Sequence, residues 1–489
     1  MRLPGKKSPL FQIWLAALAI FAAGSGCSPE ARDSNPPNFI IILTDDQGYQ
    51  DLGCFGSPDI QTPNVDRLAS EGMIFTDFYA QPLCGPSRTA LLTGCYPMRV
   101  AEYGNLKRKF PYVHEKEILL PSVLRDAGYA TGMIGKVDIT MRMRGFKPEL
   151  NPVRRGFDFW YGVVGANDFV KTKEVYRNEV MIHDSMPLER LTQNYTRQAL
   201  DFINRSKKQP FFLYIAHTMP HIDLAASEQF RGKSERGLYG DVIEELDWST
   251  GQIVSLLEDL GLDRNTILVF TSDNGPYFLA RAVENGHAGS ALPLHGSKGT
   301  TWEGGMRVPC VMWGPGYIPG GHVCRELSTT MDLLPTFIKM AGAQLPEDRI
   351  IDGRDISGLM TAEQGAKSPY NAFYYYMESE LEAVRSGAWK LVLPREHVKD
   401  RPWLERSNNY QKFIPGVFDG VPGVHLYNLE QDMGEKHNLA EKNPGKIEQL
   451  MALVEEAYEE LGNYDRIGRG VRFFEEGEKW PNLKEWRNN

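Results

Sequence analysis

The sequence predicts an α/β fold: a large, mainly parallel sheet flanked by helices, with a smaller C-terminal α+β domain carrying an antiparallel sheet. Three observations lead there. Runs such as Asn38 to Thr44 (NFIIILT) and Phe211 to Ala216 (FFLYIA) are apolar without alternation, as strands buried on both faces require. Segments with helical spacing alternate with these runs, the order that builds a parallel sheet through crossover helices. Beyond about residue 365 the pattern changes to short strand-like pieces separated by turns.

Taken in order, the first strand, Asn38 to Thr44, ends in Asp45-Asp46. Thr62 and Pro63 open a helix through Ala69, with Thr62 as N-cap and Pro63 in the first turn. Leu120 to Ala127 reads as a helix and Tyr129 to Ile134 as a strand. Tyr195 to Asn204 reads as a helix before the buried strand Phe211 to Ala216. Tyr239 to Leu260 has apolar residues at helical spacing and precedes the strand Thr266 to Thr271. In the last part, Phe373 to Met377, Trp389 to Leu393 and Leu426 to Leu429 are short strands, and Lys446 to Leu461 is an amphipathic helix. No internal repeat is visible.

A chain of 489 residues exceeds what one hydrophobic core usually holds, so two domains are expected. Residues 1–27 read as an export signal. Arg2, Lys6 and Lys7 precede the apolar run Leu10 to Ala23, which is short for a bilayer span, and small residues follow. Cys27 then resembles a bacterial lipoprotein site, although Gly24 stands where such sites usually carry Leu. Lipid attachment and simple cleavage both remain open. Either places the mature protein in the periplasm or outside the cell, and lipidated Cys27 would tether it to a membrane. Residues 28–37 are a polar linker, 38–365 the large α/β domain that carries the chemistry, and 366–489 the C-terminal α+β subdomain.

Cys54, Cys84, Cys95, Cys310 and Cys324 remain after the leader. Export favours disulfides, and their odd number points to a free thiol with another task. The net charge of −9 argues against general binding to nucleic acid, but a few local cations could still hold an anionic substrate.

Ligands of open α/β sheets bind beyond the carboxyl ends of the strands. Three expected strands end in chemically capable residues: Asp45-Asp46, then His217 and His221, then Asp273-Asn274. Distant segments should therefore converge on one rim.

The most specific signal is Cys84-Gly85-Pro86-Ser87-Arg88, continued by TALLTG to Gly94. It closely resembles the signature of the sulfatase family, C-x-P-S-R followed by a short helix and T-G. The resemblance extends over nearly the whole mature chain. Leu43 to Gly48 (LTDDQG) matches the family's first acidic motif and Thr271 to Gly275 (TSDNG) its second. Gly135-Lys136 matches its G-K element, and Gly296 to Gly305 (GSKGTTWEGG) its K-G-x-x-x-E-G-G region. Leu426 to Leu429 (LYNL), with Glu435 and Asn438-Leu439, resembles its C-terminal segment. Leu238 to Pro276 and Gly296 to Leu345 look most like the arylsulfatase A-like branch, which includes enzymes for aryl sulfates and for sulfated sugars.

The resemblance implies a sulfuric ester hydrolase of the alkaline-phosphatase-like superfamily. Cys84 would be oxidised to formylglycine by a dedicated maturation enzyme. One hydroxyl of the hydrated aldehyde attacks sulfur and the other later expels sulfate; an ordinary serine would leave a stable ester. Asp45, Asp46, Asp273 and Asn274, with modified Cys84, would hold one Ca2+, which accepts hard oxygen ligands of this kind. Arg88, one helical turn after Cys84, would hold the nucleophile and offset the acidic residues. Lys136 and Lys298 would complete a positive clamp on sulfate, and His221 would protonate the leaving oxygen. His217 could face the substrate, support a neighbour or be structural.

Two departures stand out. The family usually carries G-K-x-H, but here the run is Gly135-Lys136-Val137-Asp138, so Asp138 occupies the place of a histidine expected to help deprotonate the geminal diol. Ala166, after the GFDFWYG segment of Gly156 to Gly162, falls where some relatives place a polar residue. Two rival readings therefore stay open. One is a phosphoester or phosphonate hydrolase of the same superfamily. The other is a carbohydrate-binding relative without turnover, which Asp138 alone favours. Arg142, Arg144, Lys147, Arg154 and Arg155 lie between Lys136 and GFDFWYG. They read either as a solvated basic loop or as a grip at the pocket mouth for a polyanionic sugar.

Overall fold

Residues of the strand Asn38–Thr44 are buried along its whole length, because the strand has a neighbour on each edge and a core on each face. The structure is a computed structural model that describes residues 36–100, 113–114, 116–139, 150–167, 170–277, 289–395 and 420–472. The expected export signal, Cys27 and most of the linker lie outside these residues, as do Arg142, Arg144 and Lys147.

The main sheet has ten strands. Their spatial order is His322–Cys324, Met73–Phe75, Cys310–Trp313, Thr266–Ser272, Asn38–Thr44, Phe211–Ala216, Ala130–Lys136, Phe159–Val163, Thr172–Arg177 and Val180–Pro187. The five from Thr266–Ser272 to Phe159–Val163 run parallel, with Thr44 paired to Ser272, Leu43 to Ala216 and Gly135 to Ala216. The register brings the three carboxyl ends named from sequence to one edge. Flanking strands are largely antiparallel.

Alternate side chains of the central strand feed two cores. Ile40 and Ile42 pack with apolar residues of the helices Pro63–Glu71, Leu191–Ser206 and Gly237–Asp259. Phe39, Ile41 and Leu43 pack on the other face with residues of Cys84–Thr93, Leu120–Asp126 and Leu333–Met340. Two-sided burial is why NFIIILT shows no polar alternation. A third core lies under a four-stranded antiparallel sheet of Phe373–Met377, Glu380–Ser386, Trp389–Val392 and His425–Asn428, covered by the helix Pro444–Glu460. Tyr79, Tyr96 and Met306 of the large sheet region join this core, so the described residues form one compact unit.

The expected elements are present to within a few residues, but six of the ten strands of the main sheet, all but Asn38–Thr44, Ala130–Lys136, Phe211–Ala216 and Thr266–Ser272, are not among those expected from the sequence. Three further features differ. Thr62 does not cap its helix; its hydroxyl accepts from Gly53 N at 2.8 Å and donates to Asp66 Oδ1 at 3.0 Å, tying the preceding turn to the helix. The strand Glu380–Ser386 escapes a pattern search because its buried positions include Glu382 and Arg385, which are held by ion pairs. None of the five cysteines is in a disulfide.

Candidate active site

The helix Cys84–Thr93 explains the spacing of its motif. Ser87 Oγ accepts from Gln81 N and donates to Gln81 O, both at 2.9 Å, which fixes the approach to Cys84. Gly94 ends the helix at φ 65°, a left-handed conformation that suits glycine, and donates to Ala90 O. Cys84 is therefore held at the helix start, with Arg88 one turn on, and both are buried.

Asp45 and Asp46 follow the central strand directly, and Asp46 adopts a left-handed φ of 70°, a strained value at which non-glycine residues often mark function. Asp273 Oδ1 accepts from Asp46 N at 3.2 Å, joining the two acidic motifs across the sheet. Asp273 Oδ2 accepts from Arg88 Nε at 3.1 Å and from Nη2 at 2.8 Å. Lys136 Nζ lies 2.7 Å from Asp45 Oδ2 and 3.1 Å from Asp138 Oδ2. Lys298 Nζ lies 2.5 Å from Asp46 Oδ1 and 3.1 Å from Cys84 Sγ. Asn274 Nδ2 donates to the same Asp46 oxygen at 2.8 Å. His221 Nδ1 is 2.6 Å from Ile222 O, which can only accept, so this nitrogen carries the proton and Nε2 turns to Asp46 Oδ2 at 3.6 Å. All ten candidate residues are thus buried at one rim.

Donor atoms of Asp45, Asp46, Cys84 and His221 all lie within 4.8 Å of one another, close enough to surround a metal ion. Asp45 Oδ1, Asp46 Oδ2 and Asn274 Oδ1 are buried without a hydrogen-bond partner. Buried acceptors are rarely left so, and three together fit an oxygen-ligated cation. The electrostatics agree. Burial pulls Asp45 upward, but Lys136, His221, Arg88 and Lys298 together outweigh it and hold its carboxyl well below the usual range. Burial and the charge of Asp45 push Asp273 up to about 7, despite Arg88. Without a further positive charge, Asp273 resists ionising beside the Asp45 carboxylate. Burial and Asp45 also raise the Cys84 thiol.

Gly135 of the G-K element sits at φ 100°, where a Cβ would stand 1.9 Å from Ala216 O, so only glycine lets the two strands approach. Asp138, also left-handed at φ 42°, donates its backbone N–H to Val164 O and is buried beside Lys136. His217 is buried against Tyr195, its ring nitrogens lack hydrogen-bond partners, and burial lowers its pKa to about 3, so it is neutral. The basic-loop expectation needs a correction at Arg155. It is buried and donates to the carbonyls of His114 and Glu117, while Arg154 pairs with Glu179 at the surface.

Sequence reasoning missed two residues. Asn167, beside Ala166, is buried and donates to Thr218 O at 3.2 Å and Asp223 O at 3.3 Å, bracing the turn that carries His221. Its amide lay one position from the residue singled out. Tyr277 stacks on His221 with ring centroids 6.1 Å apart, and Lys298 Nζ lies 5.1 Å from its ring centre. Its place three residues after Asn274 was the available signal.

Residues 37–343 match the Sulfatase family model. The N-acetylgalactosamine-6-sulfatase of Mus musculus is 38% identical over 450 residues, covering 86% of this chain and 81% of its own. The steryl-sulfatase of Homo sapiens is 32% identical over 527 residues, 88% of each chain. Among solved structures, Ps i-CgsB in complex with k-i-k-neocarrahexaose aligns with a TM-score of 0.70 at 28% identity, over 86% of this chain and 92% of that one. The family match covers every rim residue described above, from Asp45 to Lys298, and the chain belongs to the sulfatase family of sulfuric ester hydrolases.

Proposed function

We propose that the protein hydrolyses sulfate esters of a sulfated carbohydrate, with formylglycine made from Cys84 as nucleophile and Ca2+ as its metal. The observation that carries this reading is the set of three unpartnered oxygens, Asp45 Oδ1, Asp46 Oδ2 and Asn274 Oδ1, beside Cys84. These residues and Asp273 would hold the ion. When bound, Ca2+ supplies positive charge that polarises a sulfate oxygen and favours the nucleophile's deprotonation.

The chain's own residues do the rest. Cys84 Sγ marks the position from which the oxidised side chain acts, and Lys298 Nζ at 3.1 Å is placed to offset charge on the transferring group. Arg88 and Lys136 hold Asp273 and Asp45 in place. With Nδ1–H of His221 held by Ile222 O, a second proton taken up on Nε2 gives the imidazolium that delivers it to the leaving oxygen and returns to the neutral Nδ1–H form. Asp138 takes the role of the missing histidine as proton acceptor when the aldehyde is regenerated. The mouse relative's name and the neocarrahexaose complex support a sugar substrate. The leader supports export to a polymer outside the cytoplasm, either tethered to a membrane through lipidated Cys27 or released by simple cleavage; a maturation enzyme would act on Cys84.

The test is mass spectrometry of the Cys84 peptide from the active protein, together with turnover of an aryl sulfate and the matching aryl phosphate with and without a calcium chelator. Aldehyde at position 84 and calcium-dependent sulfate release are expected. An unmodified thiol in protein that turns over, or preference for the phosphate, would overturn the reading.

A further inference from the structure

We propose that Lys390, in the C-terminal sheet, is a positioning residue for the active site and acts by fixing the loop that carries Lys298. The inference rests on the role given to Lys298 above.

Residues 298–303 link two regions. At one end, Lys298 N donates to Pro276 O and Gly299 N to Pro82 O, two residues before Cys84, while Lys298 Nζ reaches Asp46 and Cys84. At the other end the loop meets the C-terminal sheet. Lys390 is fully buried, and its Nζ donates to Thr301 O at 2.8 Å and to Glu303 Oε1 at 3.0 Å. The same ammonium lies 2.8 Å from Glu435 Oε1 and 4.1 Å from the Tyr375 ring centre. Glu435 Oε2 accepts from Glu303 N at 2.8 Å. Thr301 Oγ1 donates to Glu382 Oε2 at 2.6 Å. Backbone and side chains of Thr301 and Glu303 are therefore held by two strands of the C-terminal sheet, through Lys390 and Glu382, and by Glu435 in the turn beyond it, none of them a rim residue.

The arrangement is poorly explained as a source of stability. Burying a lysine between two glutamates carries a desolvation cost that their attraction often fails to exceed, and well-packed apolar residues commonly do as well. What the ionic cluster supplies is fixed direction. Lys390 contacts a carbonyl and two carboxylates at once, which defines the loop's path at Thr301 and Glu303. Three residues earlier, that path sets where the Lys298 ammonium stands. A displacement of about 1 Å at a reacting centre can reduce rate on the order of 100-fold.

A double-mutant cycle of the full chain tests this, using Lys390→Met, Lys298→Ala and the pair. It is read in kcat/KM for an aryl sulfate and in Kd for inorganic sulfate, so that it stays readable where Lys298→Ala leaves no turnover. Lys390→Met should lower kcat/KM about 10-fold or more and weaken sulfate binding when Lys298 is present, yet change either by less than about 2-fold when Lys298 is absent, as residues acting through one another are non-additive. Equal losses in both backgrounds, or none in either, would overturn the inference. If Lys390→Met does not fold, the nearly isosteric Glu435→Gln takes its place in the cycle, with the same pattern expected and the same outcomes decisive. Absence of aryl sulfate turnover by the unaltered protein would refute the reading of the site; turnover with an additive cycle refutes the positioning role alone.

Discussion

Replacing Asp46 by Asn should remove most of the stability that calcium confers, and this can be measured without any turnover. Asp46 Oδ2 is one of the three unpartnered buried oxygens, while Oδ1 is already taken by Lys298 and Asn274. The substitution keeps the shape of the side chain and removes its charge. At a free calcium concentration near 100 times Kd, a ligand bound only by the native state adds about 2.7 kcal/mol. The entropy of unfolding is about 2.1 cal/mol/K per residue, or roughly 1 kcal/mol/K for this chain, so the apparent melting midpoint should rise by about 3 °C. Loss of groups behind a metal ligand already weakens binding about 10- to 100-fold, and loss of a ligand's charge should do at least that. At the same calcium concentration Asp46→Asn would then sit near its own Kd, where the gain is only about 0.4 kcal/mol, well under 1 °C. Differential scanning calorimetry with chelator and with calcium gives both numbers. Equal shifts for the two proteins, or no calcium response in the unaltered one, would refute the placement of the ion.

Cys84→Ala should abolish aryl sulfate turnover while circular dichroism and the calcium-free melting midpoint stay near those of the unaltered protein. His221→Ala should lower kcat/KM about 100-fold for a sulfated sugar and much less for an aryl sulfate with an acidic leaving group; equal losses would remove its role as acid. Asp138→Asn should allow one round of sulfate transfer and then trap sulfated enzyme, visible as an 84-containing peptide of raised mass. Normal multiple turnover by that variant would rule out Asp138 as the base.

The rim was legible because its residues follow strands whose burial on both faces leaves an unmistakable run, and because Cys84 to Gly94 is a local motif whose helix, cap and turn lie within one stretch of chain. Partners across the fold were not legible in the same way. Arg155 looks in sequence like its basic neighbours, yet folding turns it inward onto two carbonyls. Asn167 gives no periodic signal, since its task is to donate to the backbone of a segment more than fifty residues away. Glu382 and Arg385 disguise a buried strand as a polar one, because hydrophobic patterns report where side chains avoid water and are blind to charges that neutralise each other.

The two buried ionic clusters are alike in their electrostatics and differ in how their oxygens are paired. Around Lys390, that lysine and Arg307 hold Glu303 down to about 2 against the upward pull of burial, while burial and the charge of Glu303 push Glu435 up to about 7 although its Oε1 lies 2.8 Å from the Lys390 ammonium. At the rim, Arg88, Lys136 and Lys298 meet Asp45, Asp46, Asp138 and Asp273, Asp273 is likewise pushed up to about 7, and three oxygens have no hydrogen-bond partner. Each buried acceptor left without a partner costs about 1–3 kcal/mol, which a bound cation would relieve. Those three oxygens gather beside Cys84, and they have the donor type that a hard divalent cation takes. Lys298 begins the short loop whose other end, Thr301 and Glu303, is gripped by Lys390, so one ionic cluster can hold the other in shape without competing for its ligands.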